Sequence, residues 1–351
     1  MGEKGEKKKK IEIKEERVNG WWVWRERVNW GMLKAWLSGG RRGKKGKRKK
    51  RETSFMFLLS GALVMFGLSG MFWSTLSPTL PEEVNILDSE VVEEPRKSRV
   101  SPAPAPDVSA LSGVVWEVNS DTWLWTKAAW EPRLPASTTK IMTGLVVLEA
   151  IGQGKMGWEQ VVVVPEAAAR VDGHKMGLGV GEAIMVKDLV YGLLLASGND
   201  AAEALAATYP GGRGAMVAAM NEKAKELGLK RTHFTNPVGY DEYLHFSTAE
   251  DLARLAKGAM EKARFAQIVG TFEATVGSTD GSIKHEVRNL NELLGEVSGV
   301  KGVKTGWTEE AGENLVTVVE RNGEEVIVVV LSSKDRFSDT RKLVEWAFKV
   351  I

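Results

Sequence analysis

The chain has 351 residues, enough for one large domain or two smaller ones plus tails. It contains no cysteine, which excludes a disulfide framework, thiolate chemistry and any cysteine-based zinc site. The net charge of +2 hides an asymmetry: residues 1–51 carry 19 Lys and Arg against 6 Glu, and the remainder carries 29 basic against 40 acidic residues.

Residues 1–20 are charged and low in complexity, the composition of a disordered tail. A patch with Trp21, Trp22, Trp24, Trp30 and Trp36 follows. Trp21, Trp24, Val28, Met32 and Trp36 fall near one face at helical spacing, with Arg25, Arg27 and Lys34 among them. The readings that stay open are a helix lying on anionic lipid, or a poorly structured tail or a stretch upstream of the true translation start. Residues 41–51 are almost wholly basic, and residues 55–76 are apolar with no charged residue. Roughly 20 apolar residues match the bilayer core, and the basic block before them places the N terminus in the cytoplasm and the rest outside. The run ends in Trp73-Ser74-Thr75-Leu76-Ser77-Pro78, which fits a cleavage site poorly, so an uncleaved signal anchor is expected. A basic block of this kind also suits a nucleic-acid-binding tail, but a membrane anchor explains the asymmetry better, with the cluster against anionic headgroups. Residues 77–106 are proline-rich and read as an extended spacer. The expected organisation is a basic cytoplasmic tail (1–54), a transmembrane signal anchor (55–76), a linker (77–106) and a globular domain (107–351). That domain is expected on the extracytoplasmic side of the cell membrane.

In the domain, residues 114–118 and 122–126 read as a strand pair around Asn119-Ser120-Asp121. A helix begins at Ser137, with Ile141, Leu145 and Leu148 at helical spacing. Residues 183–196 and 200–208 read as helices separated by Ser197-Gly198-Asn199, and residues 214–227 as a helix stopped by Gly228. Ser247-Thr248-Ala249-Glu250 has the form of a capping box opening a helix to about residue 262. Residues 314–320 and 326–331 read as strands joined at Asn322-Gly323, the second an apolar run covered on both faces, and residues 340–350 as a closing helix. Strands at both ends flanking a helical middle predict an α+β fold: a sheet completed by the two ends, with a mostly helical lobe inserted.

Three short stretches carry chemistry. Ser137 and Lys140 stand three apart in Pro135-Ala136-Ser137-Thr138-Thr139-Lys140, so a helix puts both side chains on one face. A lysine in a dry, positive pocket loses basicity and can take the serine proton. Ser197-Gly198-Asn199 offers a hydroxyl and an amide two residues apart. Lys304-Thr305-Gly306, expected at the start of a strand bordering a cleft, offers a fixed positive charge, a hydroxyl and a glycine that admits a substrate backbone. Each is common alone. The histidines, His174, His233, His245 and His285, lack paired metal-ligand spacing and read as local hydrogen-bonding residues.

In this order and in these contexts the three stretches resemble the penicillin-recognising serine enzymes, whose fold is β-lactamase/transpeptidase-like. More narrowly, residues 112–351 resemble the D-alanyl-D-alanine carboxypeptidases, the low-molecular-mass penicillin-binding proteins, through Met176-Gly177-Leu178, residues 193–202, Thr232-His233-Phe234-Thr235-Asn236-Pro237 and residues 247–253. The resemblance implies that Ser137 attacks the penultimate D-alanine carbonyl of a peptidoglycan stem peptide while Lys140 takes its proton. Ser197 relays a proton to the leaving nitrogen, helped by the field of Lys304. Asn199 orients Lys140 and binds the acyl-side amide. Thr305 and Lys304 receive the terminal carboxylate, and the N–H groups of Ser137 and Trp307 hold the oxyanion. It implies that penicillins acylate Ser137 in the same way and leave slowly, and that neither metal nor organic cofactor is needed. The sequence departs from the family at Val238 and Trp307, positions expected to touch no catalytic side chain, although Trp307 would alter the cleft rim. The family's usual C-terminal β-domain and amphipathic anchor do not follow the last expected helix, and the N-terminal anchor is expected to replace that tether. Alternatives are a DD-endopeptidase with the same residues, a β-lactamase, for which Glu226, Glu242 and Glu250 lack the context of a deacylating glutamate, and a non-catalytic cell-wall-binding module. A membrane-tethered DNA-binding protein would leave the three motifs unexplained. Nothing in the sequence speaks to oligomeric state.

Overall fold

A computed structural model describes residues 103–351 in full and, nearer the N terminus, the backbone of two strands. These strands, β1 (Lys14–Val18) and β2 (Trp21–Arg25), pair antiparallel with Lys14 opposite Arg25 and Val18 opposite Trp21. Residues 21–25 are therefore a strand, and neither a helical face through Trp21 and Trp24 nor an unstructured tail describes them. Tryptophan and valine favour the extended chain. The rest of the tryptophan patch, the basic block, the expected anchor 55–76 and the expected linker as far as residue 102 lie outside the described residues. Among the described residues no helix is long and apolar enough to cross a membrane. The chain divides into two units, residues 1–90 and 91–351; the second carries the three motifs.

That unit opens with β3 (Ser112–Glu117) and β4 (Thr122–Lys127). A 3₁₀ turn (Ala136–Thr139) leads into α1 (Lys140–Gly152). The inserted lobe holds β5 (Val161–Val163), α2 (Glu166–Ala169), β6 (Ala183–Met185), α3 (Val186–Leu194), α4 (Asn199–Thr208), α5 (Gly212–Glu226), α6 (Ala249–Met260), α7 (Ala263–Val269), β7 (Glu273–Gly277) and β8 (Lys284–Arg288). The chain then returns to the sheet through β9 (Val300–Thr308), β10 (Gly312–Arg321) and β11 (Glu324–Ser333), and closes with α8 (Arg336–Val350). The five-stranded antiparallel sheet runs β4-β3-β11-β10-β9, so both ends of the domain build it and β9 is an edge.

β11 shows why the register is fixed. Ile327, Val329 and Leu331 pack into the core shared with α1, α3 and α6, while Val326, Val328 and Val330 pack with Leu343 and Val344 of α8. Each such buried side chain is worth roughly 1.5–3 kcal/mol, and a one-residue slip would exchange the two sets. The Asn322-Gly323 turn has φ of +55° and +88°, the left-handed pair that a two-residue hairpin loop requires.

Local expectations shift in four places. Residues 183–185 are strand, because β6 pairs with β5 in the register Val162 opposite Ile184, and the helix starts at Val186. Thr248, not Ser247, caps α6 by accepting the Asp251 N–H at 3.1 Å. α8 starts at Arg336, capped by Asp335, which accepts the Ser338 N–H. Residues 103–106 of the expected linker adjoin the domain: the Trp346 indole donates to Ala103 O at 3.2 Å, and Ala105 packs beneath α8.

Candidate active site

Ser137 sits in the 3₁₀ turn just before α1. Three hydrogen bonds hold the turn. Thr138 donates to Pro135 O through both its N–H (3.2 Å) and its hydroxyl (2.7 Å), and Asn314 of β10 donates to Leu134 O at 2.9 Å. Ala136 has φ of +49°, a left-handed conformation that alanine adopts at a cost. Such strain persists because the surrounding bonds over-determine the turn.

Lys140 is fully buried, and its Nζ has three oxygen neighbours: Ser137 Oγ at 2.9 Å, Asn199 Oδ1 at 2.7 Å and Val238 O at 2.8 Å. Burial, and then the positive charge of Lys304, push its pKa well below the usual lysine value, opposed by Asp200 and Glu203. When the amine is neutral, the geometry assigns its protons. Asn199 Oδ1 and Val238 O can only accept, so they take the two N–H bonds. The lone pair is then left for the Ser137 hydroxyl, whose O–H donates to it. A buried amine that points its lone pair at a hydroxyl is a general base in position.

Asn199 opens α4, and its amide is fixed on both sides. Its Nδ2 donates to Asp172 O at 2.8 Å, which leaves Oδ1 facing Lys140. The next residue, Asp200, is buried and accepts the N–H groups of Met176, Gly177 and Leu178 at 2.9–3.0 Å. The loop over the second motif is thereby stitched to α4. Ser197 is buried in the break between α3 and α4 and has φ of +57°, so the second motif is strained like the first.

The third motif lies inside β9 rather than at its start. Lys304 and Thr305 are buried. Gly306 is where β9 meets the nucleophile's turn: a Cβ there would stand 2.9 Å from Pro135 O and 3.2 Å from Ser137 N. Only glycine allows this approach. Trp307, 62% exposed, stands on the surface beside it. Lys304 is not the fixed charge expected. Burial, and then the neighbouring Arg336, draw its pKa down to about 7.

The structure brings Ser137, Lys140, Asn199 and Gly306 together, with the Lys304 charge felt at Lys140, while Ser197 adjoins Asn199 and Thr305 and Trp307 flank Gly306 along the chain; the sequence reading missed others. Val238 does touch a catalytic side chain, through its main-chain carbonyl on Lys140. Asn236 shapes that turn by accepting the N–H groups of Val238, Gly239 and Tyr240 at 2.7–3.2 Å. Tyr240 donates its hydroxyl to Asp172 O at 2.7 Å. Arg336 donates to Gly306 O at 3.2 Å, and its buried Nε has no protein partner. Asn236-Pro237 was visible as a family stretch. A backbone carbonyl has no sequence signature, and nothing marks Arg336 among the chain's many arginines. Among the described residues no group of three or more His, Asp or Glu is placed to hold a metal ion. A cavity of about 500 Å³ lined by Glu296, Val297, Ser298, Arg321, Arg341 and Glu345 belongs to a different region, and its arginines already pair with Glu345 and Glu296 at 2.8 and 2.7 Å.

The D-alanyl-D-alanine carboxypeptidase family profile, peptidase S11, matches residues 98–335. The carboxypeptidase DacF of Bacillus subtilis is 37% identical over 242 residues, covering 68% of this chain and 62% of that protein. A Streptomyces carboxypeptidase is 37% identical over 260 residues, covering 69% of this chain and 88% of its own. Among solved structures, the Streptomyces K15 DD-transpeptidase superposes with a TM-score of 0.66 at 36% identity, over 70% of this chain and all of that one. The likeness establishes the α+β, penicillin-binding-protein-like fold. The chain thus spans less than two thirds of DacF but nearly the whole of the Streptomyces proteins.

Proposed function

The chain belongs to the D-alanyl-D-alanine carboxypeptidase family, and we propose that it removes the terminal D-alanine from peptidoglycan stem peptides through a Ser137 acyl-enzyme. The observation that carries this is the buried Lys140 Nζ, 2.9 Å from Ser137 Oγ and held by Asn199 Oδ1 and Val238 O at 2.7 and 2.8 Å. Ser137 Oγ attacks the penultimate carbonyl as its proton passes to Lys140. The oxyanion lies between the N–H of Ser137 and that of Trp307, where β9 presses on the turn at Gly306. Lys304 and Thr305 receive the terminal carboxylate, with Arg336 behind them. Binding of that carboxylate raises the pKa of Lys304 again, so the substrate itself supplies the charge it needs. Ser197 gives its proton to the departing D-alanine nitrogen and takes one from the protonated Lys140, which leaves Ser197 restored and Lys140 neutral. Water then releases the shortened peptide, and penicillins acylate the same oxygen.

The test is incubation of the full chain with a labelled penicillin and an acyl-D-Ala-D-Ala peptide, with mass spectrometry of protein and products. An adduct on Ser137, free D-alanine, and loss of both in Ser137→Ala are expected. Labelling that survives in Ser137→Ala refutes the assignment. A cross-linked dimer run in parallel reads endopeptidase action, which the relatives do not favour, and rapid turnover of the penicillin would mark a β-lactamase.

Residues 55–76, behind the basic block of residues 41–51, anchor the enzyme as a single-pass segment with the catalytic domain outside the cytoplasm. Support comes from the sequence and from the location of peptidoglycan. Release of the full chain from membranes by high salt, without detergent, would contradict it.

A further inference from the structure

One buried titratable ring behind the site has no part in the mechanism above. His245 lies just before α6, edge-on to Phe234 with ring centroids 5.8 Å apart and planes at 68°. Its Nδ1 accepts the Thr235 backbone N–H at 3.0 Å. A backbone N–H can only donate, so Nδ1 carries no hydrogen and the ring proton resides on Nε2. Nε2 faces Thr139 Oγ1 at 2.9 Å. Thr139 is the last residue of the 3₁₀ turn, immediately before Lys140.

We propose that His245 is a positioning residue of this active site: its Nε2–H grips Thr139 Oγ1 and fixes the turn on which Ser137 and Lys140 meet. The argument is geometric. Thr138 and Asn314 hold the Ser137 end of the turn through Pro135 O and Leu134 O. The Lys140 end is held by Val238 and Asn199 through a flexible side chain, by the Thr143 hydroxyl on Thr139 O at 3.4 Å, and by the Thr139 side chain on His245. Without that contact the turn pivots about Pro135, and the distance between Ser137 Oγ and Lys140 Nζ opens. The groups facing the ring are Thr235 Oγ1 at 3.2 Å, Asn236 Nδ2 at 3.4 Å, Glu242, which favours the imidazolium, and His233, which opposes it. Burial outweighs Glu242 and holds the pKa at about 4. The ring therefore stays neutral and keeps the one tautomer that reaches Thr139 while Lys140 works.

The inference rests on Ser137 being the acylated residue. It is tested in the full chain by single-turnover penicillin acylation, which separates ligand dissociation from the acylation step. Thr139→Val keeps the side-chain shape and removes the acceptor. It should slow acylation about tenfold with the dissociation constant within about twofold. His245→Gln, which returns an N–H near the place of Nε2, should remain within about threefold of the parent. His245→Leu should match Thr139→Val, and the double variant should be no slower than either single one. Parental acylation in Thr139→Val overturns the inference. So does equal slowing by His245→Leu with and without the Thr139 hydroxyl. If His245→Leu does not fold, Thr139→Val alone decides. Absence of any adduct in the parent chain overturns the acyl-enzyme reading, and this inference with it.

Discussion

Replacing Gly306 with alanine tests how closely the site is built. The new Cβ would lie 2.9 Å from Pro135 O, 3.1 Å from Thr138 N and 3.2 Å from Ser137 N, where ordinary contacts begin at 3.4 Å. All three are backbone atoms of a turn pinned by Thr138 and Asn314, so no side chain can swing aside. β9 must therefore retreat by about half an ångström. Overpacking of this kind costs about 1–3 kcal/mol of stability. A misplacement of about 1 Å costs roughly a hundredfold in rate, so half of that predicts about a tenfold loss in acylation. Gly214, in α5, is the control, since nothing lies within 4 Å of a Cβ there. Gly214→Ala should raise stability by about 0.5–1 kcal/mol and leave acylation alone. Urea unfolding and the rate of covalent labelling by a fluorescent penicillin measure both effects. If Gly306→Ala unfolds at the parental urea concentration and labels at the parental rate, the proposed contact between β9 and the turn is not what shapes the site.

Other perturbations should separate the remaining parts. Asn199→Ala strips Lys140 of an acceptor at 2.7 Å and Asp172 O of a donor at 2.8 Å, each buried bond worth about 1–3 kcal/mol, so labelling should fall about tenfold to a hundredfold and the melting temperature should drop; unchanged labelling would remove Asn199 from the machinery. The two lysines act on pH in opposite directions. Lys140 must shed its proton before it can take one from Ser137, so the acylation step speeds up with rising pH. Lys304 passes from ammonium to amine near pH 7, so affinity for carboxylate ligands should weaken above that pH. Acylation efficiency should thus rise and then fall, and a level profile from pH 7 to about 9 would contradict the assignment of Lys304. In stability the same lysine acts otherwise. As pH falls from 10.5 to about 7, the unfolded chain takes up a proton that the folded chain refuses. The cost of burying Lys304 therefore grows across that window and is constant below it, which urea midpoints of the parent and Lys304→Met would show. Thr248→Ala should cost about 1 kcal/mol by freeing the Asp251 N–H, read as a shift in urea midpoint with labelling retained.

Much of this protein was legible in its sequence because much of it is local. Spacing of three on a helical start sets Ser137 beside Lys140, Asn322-Gly323 makes a hairpin, and an unbroken run of Val and Leu makes a strand buried on both faces. The sheet closed by the two ends of the domain follows from such patterns taken in order. Short elements were not legible: β5, β6, β7 and β8 span five residues or fewer, and their pairing with partners, not their composition, makes them strands. β1 lies in the stretch expected to be disordered and β2 where helical spacing is read, because a run of tryptophans satisfies both periods and only strand pairing chooses between them.

The site divides along the same line. Serine, lysine, asparagine and the lysine–threonine–glycine triplet announce themselves as residue types, whereas the state of each group depends on what the fold brings to it from far along the chain. Only the tertiary structure turns the Lys140 lone pair toward Ser137, because the acceptors that occupy its other bonds come from residues 199 and 238. It alone buries Lys304 and brings the Arg336 charge near it, which draws its pKa down to about 7, and it alone seats His245 behind the turn. Burial and mutual repulsion of charges are properties of three-dimensional proximity, and no linear pattern encodes them.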